Sequence, residues 1–499
     1  MSIMSYSQHY YNCKANNIEV YFEYNNSVVF DTGKKTIASD GGTTYKCKKL
    51  SVITKCELEQ YGGPSETHRY SRGDNLVIQG IITFFTGIPL TVYHSNEGSS
   101  GITQIECEKQ EIHIKIDDVD YSKDLIIMLD RLNKEPELII TLLDRWRKAI
   151  YLKEESCDAD LYYDEATLSF FHIFELFGES IANELKNKLE NNIESMLYQH
   201  FKSYYFTEAQ TKQMVEQNRK SVNSLLIGDF LNLAIKVKYF LEKYELLDDN
   251  VAFFIDNMIK VRNAIAHGRI TYQKVFMWPL PPFFNLSKDS YENIEFLFFL
   301  SAEMISKYIG ISCWEKEWSE TKKFLMPPNH IISAFLENSL VIDNFNYGML
   351  VQGNKYNITW RTLFNYYVKK PKKTIRECIE VAMKDSFMNT PTDEDNAPDI
   401  FNISIIFADS EDSDIKQKAI ENVKTIISNS WYGWSSFKDA YTYLDFYSVT
   451  VVWYKEFLLN EEYIECRNTN YTHEQRNLQN VAPKCTIKSF FDFIKRKIL

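Results

Sequence analysis

The sequence predicts a multidomain α+β protein with a β-rich N-terminal region (residues 1–122), a central antiparallel helical bundle (123–311) and a C-terminal α+β region (312–499). Three observations predict it. Short runs rich in β-branched and aromatic residues, separated by Gly, Asn and Ser, fill the chain up to about residue 120. From residue 124 onward the apolar spacing becomes helical. A chain of 499 residues also exceeds one ordinary hydrophobic core, which predicts roughly two to four domains.

In the N-terminal region the strand candidates are 20–24, 43–56, 76–85 and 102–116. They are punctuated at Asn25 and Asn26, at Gly41 and Gly42, at Gly62, Gly63 and Pro64, and across 96–101. Within 111–116 Ile alternates with Glu, His and Lys, as a strand with one buried face requires. The segment 78–86 fits a helix as well, because a short apolar run does not decide between the two.

The bundle begins with 138–151, a helix candidate containing Trp146 and a basic face. Residues 164–188 carry Phe170, Ile173, Phe174, Phe177 and Ile181 on one helical stripe. The pattern returns over 228–244 with Phe230, Leu233, Ala234, Val237, Leu241 and Tyr244. It returns again over 250–267 with Phe254, Met258, Val261 and Ile265. After a break at Pro279, Pro281 and Pro282, residues 291–308 repeat it with Ile294, Leu297, Phe298, Met304 and Ile305. Successive amphipathic segments of this kind predict an antiparallel bundle. In the last third, 401–407 and 446–453 read as strands and 415–428 as a helix, hence the α+β expectation.

Composition limits the function classes. Hydrophobic content of 44% and charged content of 25% are those of an ordinary folded chain. No basic–apolar leader opens it and no run of about twenty apolar residues occurs, so a soluble, cytoplasmic protein without membrane contact is expected. The nine Cys never occur as Cys-x-x-Cys and read as reduced thiols. A zinc site from Cys378, Cys466, Cys485 and His473 lacks compact spacing, so neither metal nor cofactor is expected. A net charge of −12 argues against indiscriminate coating of nucleic acid. Contact with RNA therefore has to come from a local positive patch.

The string most informative about chemistry is Val261-Arg262-Asn263-Ala264-Ile265-Ala266-His267-Gly268. It reads as a helix end with Gly268 as the stop signal. Asn263 and His267 stand one turn apart on a shared face, and the long side chain of Arg262 reaches the same space. The helix dipole favours a protonated His267 while Arg262 and Arg269 oppose it, a balance suited to general acid–base work. A cation beside an imidazole fits RNA cleavage: His activates the ribose 2′-OH and Arg stabilises charge developing on the phosphate. The nucleophile then belongs to the substrate, and DNA, lacking that hydroxyl, is spared.

This string resembles the signature of the HEPN superfamily, an Arg and a His across a short spacer with Asn often after the Arg. A second match, Arg467 to His473, lies in a polar Asn/Thr-rich stretch without an apolar stripe and reads as a loop. Upstream, Leu142-Leu143-Asp144-Arg145-Trp146 and the segment 165–179 around Phe174-Glu175-Leu176 are similar to the entry of ApeA-type HEPN proteins. The stretch 74–93, with Ile82-Thr83-Phe84-Phe85-Thr86-Gly87-Ile88-Pro89, is similar to the β-rich N-terminal domain of those proteins. The resemblance covers about 1–310 and leaves the last third unexplained.

The resemblance implies a HEPN bundle that pairs as a homodimer with two motifs facing one cleft. It implies a prokaryotic anti-phage, abortive-infection ribonuclease set off by a phage-derived trigger, with RNA, transfer RNA among the candidates, as its partner. Catalytic roles carry over to Arg262, Asn263 and His267, with Glu175 supporting the basic pair. The competing reading is a non-catalytic HEPN scaffold that binds RNA or a protein, with Arg262 merely paired to Asp256 or Glu175. Outside the resemblance, Tyr366-Tyr367-Val368-Lys369-Lys370-Pro371-Lys372-Lys373 interleaves aromatics with cations. With Arg269, these lysines are the candidate RNA contacts. Asp399 followed by Asp414 and Lys416 loosely imitates a metal-dependent nuclease, a chemistry that needs them on adjacent strands.

Overall fold

The computed structural model describes residues 3–463 apart from 16, 41–42, 59–62, 106, 156–161, 229–230, 268–289, 341, 343–345, 353, 432–436 and 461–462. It is a mixed, mostly helical chain with an antiparallel sheet at its N-terminal end. The strands are β1 (Ile3–Cys13), β2 (Ile18–Tyr24), β3 (Ser27–Asp40), β4 (Thr43–Leu58), β5 (Ser95–Gly101), β6 (His113–Ile116) and β7 (Val119–Asp120). They form one sheet in the order β5-β1-β4-β3-β2-β6-β7. The β2–β3 hairpin closes Tyr24 against Ser27 through Asn25 and Asn26. Asn25 there has φ 49, a left-handed conformation that Asn tolerates. Along β2, Ile18, Val20 and Phe22 are buried while Glu19 and Glu23 point to water, a period-two pattern interrupted only by the buried Tyr21 between them.

Two N-terminal expectations change. Residues 76–85 are not a strand but the end of α1 (Pro64–Thr86), which starts with Pro in its first turn and stops at Gly87. The helix lies between the sheet and the helical layer, so residues on both sides are buried and its periodicity is masked. Its sheet-facing side is polar: Thr67 bonds Ser5 at 2.7 Å and Gln79 donates to Tyr11 at 3.1 Å. Within 102–116 only 113–116 form a strand, and Ile102 is 74% exposed.

Next come α2 (Ser122–Lys134), α3 (Pro136–Glu155), α4 (Tyr163–Lys202), α5 (Glu208–Ile227), α6 (Leu233–Lys243), α7 (Asp249–Ala266), α8 (Ser290–Ile309) and α9 (Glu315–Thr321). The central spine is α4, a 40-residue helix that touches α3, α5, α6, α7 and α8. Phe177 stacks on Phe240 of α6 at 4.2 Å, and Phe254 of α7 meets Phe296 of α8 at 5.6 Å. One apolar core draws on residues from Tyr11 to Leu325, while a small separate cluster of Ile193, Leu197, Val215 and Ile227 joins the far end of α4 to α5. The large core joins the sheet, α1 and the rest of these helices, with residues on either side of position 122 contributing.

A second core runs from Ile332 to Tyr463. It is built from α10 (Asn329–Leu336), α11 (Tyr347–Gln352), α12 (Trp360–Lys369), α13 (Lys373–Asn389), α14 (Ala397–Phe407), α15 (Ser413–Asn429), α16 (Phe437–Phe446) and α17 (Val452–Phe457). The α+β expectation for this region is therefore corrected: among the described residues from 312 onward there is no strand. Residues 401–407 belong to α14, where Phe401, Ile403, Ile405, Ile406 and Phe407 are all buried. A helix enclosed on every side shows no amphipathic period and reads as a strand. Residues 446–453 are split between two short helices by a turn at Ser448 with φ 58.

Candidate functional site

The helix that carries the 262–267 motif is anchored at its start and open at its end. Asp248 caps α7 by accepting the Val251 N–H at 2.9 Å, and it pairs with Lys322 at 2.5 Å. Val251, Phe254, Ile255 and Met258 bury one face of the helix. Exposure then rises along the last turns: Arg262 is half-buried, while Asn263 and His267 are exposed. His267 is the C-cap residue, and its backbone N–H donates to the Asn263 carbonyl at 3.0 Å.

Arg262 is held from two sides. One guanidinium nitrogen, Nη2, donates to Glu175 Oε1 at 2.5 Å across the groove between α7 and α4. The other, Nη1, donates to Asn263 Oδ1 at 3.1 Å. The contact with Glu175 spans 87 residues of chain, so the long-range packing of α4 against α7 sets the guanidinium plane. Arg262 retains 29% side-chain exposure and can still be approached by an anion. Asp256, the other carboxylate considered for Arg262, instead pairs with Lys238 at 2.7 Å.

Glu175 sits at the rim of α4 because Phe170, Phe171, Phe174 and Phe177 turn the other faces of that helix into the core. One turn earlier stands His172, half-buried, its Nδ1 enclosed without a hydrogen-bond partner. Burial pushes the His172 imidazole below its usual value. The Glu175 carboxylate opposes that shift, and the guanidinium groups of Arg145 and Arg262 reinforce it. Arg145 projects from α3, which packs along α4, and it is exposed. The structure thus brings Arg145, His172, Glu175, Arg262 and Asn263 to one corner of the helical layer.

No family model, curated protein or solved structure matches the chain. The local geometry therefore carries the functional argument.

The remaining sequence-predicted residues do not converge on this corner. Arg269 lies outside the described residues, as do Cys466, Cys485, His473 and the second Arg/His match from 467 to 473. Lys369, Lys370, Lys372 and Lys373 are exposed around the turn from α12 to α13, on the second core rather than the first. Lys373 is taken up by Glu411 and, at 3.7 Å, by Glu377. Tyr366 and Tyr367, the aromatics that interleave with these cations, are 6% and 5% exposed and belong to the core. They offer no platform for stacking bases. Asp399 and Asp414 both lie on helices, α14 and α15, so the adjacent-strand arrangement of a metal nuclease is not formed. Among the described residues no group of three or more His, Cys, Asp or Glu gathers to hold a metal. No helix among them is long and apolar enough to cross a membrane.

His172 and Arg145 were missed by sequence reasoning. Arg145 lay inside a quoted motif without an assigned role, and His172 sits one turn from Glu175 on the same helix. Only the packing of α3 on α4 brings both near Arg262.

Proposed function

We propose that the chain is a metal-independent HEPN-type endoribonuclease that cleaves RNA by 2′-OH transesterification. The observation that supports this best is the held guanidinium. Arg262 is fixed by Glu175 and Asn263 beside an exposed His267 that ends the same helix. A fixed cation next to an open imidazole is what in-line attack on a phosphodiester needs.

His267 takes the proton of a ribose 2′-OH, and the oxygen attacks the adjacent phosphorus. Arg262 stabilises the charge gathering on the phosphate oxygens, and Asn263 helps to position the group. The bond to the 5′ oxygen breaks and that oxygen takes up a proton, leaving a 2′,3′-cyclic phosphate and a 5′-OH. Glu175 keeps Arg262 in place and does not touch the RNA. The resemblance extends the reading to a homodimer formed through the bundle, acting on RNA such as transfer RNA as a cytoplasmic anti-phage effector released by a phage-derived trigger.

The test is cleavage of total transfer RNA and of single-stranded RNA in EDTA by wild type, Arg262→Ala and His267→Ala. Wild type alone is expected to cut, leaving cyclic-phosphate ends, with each variant reduced about a hundredfold or more. Equal activity in all three proteins would remove the assignment. Silence of all three, with a phage-infected lysate added to supply the trigger, would favour a non-catalytic scaffold.

A further inference from the structure

The residues around Arg262 include two groups that the proposed chemistry leaves unused. Among the described residues Arg145 makes no ion pair, and its neighbour Asp144 is already committed to Arg147 at 2.8 Å and Lys148 at 2.5 Å. Arg147, two residues on, is different: it is buried and donates to Gln79 at 3.2 Å, which accounts for it as a structural residue. Arg145 is exposed beside the imidazole of His172. The Nδ1 of His172 is enclosed and unpartnered. A buried N–H without an acceptor is the costlier orphan, so the ring proton resides on Nε2. With Nδ1 enclosed, His172 offers its Nε2 N–H as a donor near the guanidinium groups of Arg145 and Arg262, against the single carboxylate of Glu175. Two cations, of which Arg262 is held by Glu175, and a donor beside one carboxylate leave an excess of positive charge and N–H groups. This local excess stands out on a chain whose net charge is −12.

We propose that Arg145 and His172 join Arg262 in one phosphate-binding subsite, spread over α3, α4 and α7, which seats a backbone phosphate of single-stranded RNA. The ligand's identity rests on the ribonuclease reading. Arg145 and Arg262 approach the phosphate oxygens from opposite helices, as paired guanidinium groups do. His172 adds a hydrogen bond from Nε2. The subsite explains how an acidic protein grips RNA at one place without coating it. It assigns the grip to the corner that holds the catalytic pair, not to the lysines around α12 and α13.

The test measures binding of a single-stranded RNA oligonucleotide with 2′-O-methyl sugars, which cannot supply the nucleophile, to the full chain. Arg145→Ala is expected to weaken binding about tenfold and to reduce the salt slope by about 0.7. His172→Leu should weaken it several-fold, while His172→Asn, which keeps a donor, should retain most of the affinity. With cleavable RNA, Arg145→Ala should raise KM and leave kcat nearly unchanged. Arg145 is exposed, so its replacement leaves the core intact, and circular-dichroism melts show whether the His172 variants fold. Wild-type affinity in Arg145→Ala and in His172→Leu overturns the subsite, as does a wild type that binds no oligonucleotide. If wild type cuts RNA and the variants do so with unchanged KM, the subsite falls and the ribonuclease stands. Binding that depends on Arg145 without any cleavage of native RNA leaves the subsite and removes the ribonuclease.

Discussion

At the scale of single residues, Glu175 separates stability from function. Its pair with Arg262 is about a quarter exposed on each side, 26% and 29%. Such a pair contributes at most about 1 kcal/mol to folding. Its larger effect is to hold the guanidinium plane, and misplacement of a group by about 1 Å can cost about a hundredfold in rate. Glu175→Ala should therefore change stability by less than about 1 kcal/mol in a urea melt. The same variant should lower kcat/KM for RNA by roughly tenfold to a hundredfold. A melt shifted strongly with activity intact would assign Glu175 to the scaffold instead. Glu303 shows the opposite balance. Its side chain in α8 is 1% exposed, and its nearest cation, Lys307, is 3.6 Å away. Burial, aided by Glu315 and Glu317, raises its carboxyl from 4.5 to about 7. An acid raised in this way binds more protons folded than unfolded between those values, so stability falls as pH rises through that window and levels off above it. Glu303→Gln should be more stable than wild type by roughly 1–3 kcal/mol above pH 7, with the gain vanishing near pH 4.5. Paired denaturant melts at pH 5 and pH 8 would decide it, and a gain independent of pH would point to packing rather than ionisation.

At the scale of elements, legibility followed the number of wet faces. The helices α4, α6 and α7 each keep an exposed side, so their apolar stripes stood out in the sequence. The enclosed second half of α1 and the enclosed α14 lost their period, so 76–85 read as strand or helix and 401–407 as a strand. The helix α5 escaped notice for the reverse reason: only Thr211, Val215 and Ile227 of its residues are buried. The candidate site divides in the same way. Arg262, Asn263 and His267 were legible because they lie on one helix end, whereas Glu175 entered through a resemblance and as one of two candidate ion-pair partners of Arg262. His172 and Arg145 depend on how α3 meets α4, which no local pattern records. Two connections are sharp enough to test. Gly87 ends α1 with φ +64, and an added Cβ would lie 3.0 Å from the Trp314 ring. Gly87→Ala combines left-handed strain with a ring that is itself locked by a bond from its Nε1 to the Phe84 carbonyl. It should cost about 1–3 kcal/mol in a denaturant melt. Asp248 begins the motif helix, and Asp248→Ala should cost about 1 kcal/mol, whereas Asp248→Asn, still a capping side chain, should cost less.

At the scale of the whole molecule, the two large apolar cores set how the chain comes apart. The first joins sheet and helices into one packed body, with Trp146 at its centre: the indole is 0% exposed and stacks on Phe298 at 5.3 Å, with Phe84 at 5.0 Å. Phe84 lies on α1, Trp146 on α3 and Phe298 on α8, so one side chain ties the helix that packs on the sheet to the helical bundle. The second core has its own buried tryptophan, Trp360, which packs edge-on against Phe387 at 5.9 Å. The change of core falls between Leu325 and Ile332, where the polar link includes Asn357 donating to the Lys322 and Leu325 carbonyls. Separate cores joined through few polar contacts unfold as separate cooperative units, whereas a shared core unfolds as one. Calorimetry should therefore resolve two transitions. Each Trp→Ala change removes about 3–5 kcal/mol from its own unit. Trp360→Ala should lower one transition and leave the other in place. Trp146→Ala should lower the other, taking the sheet and the helical bundle down together. If Trp146→Ala split the sheet's loss from the loss of α4 and α7, the shared core would not couple them. The positioning of Arg262 would then depend on the helices alone, and RNA cleavage would survive melting of the sheet.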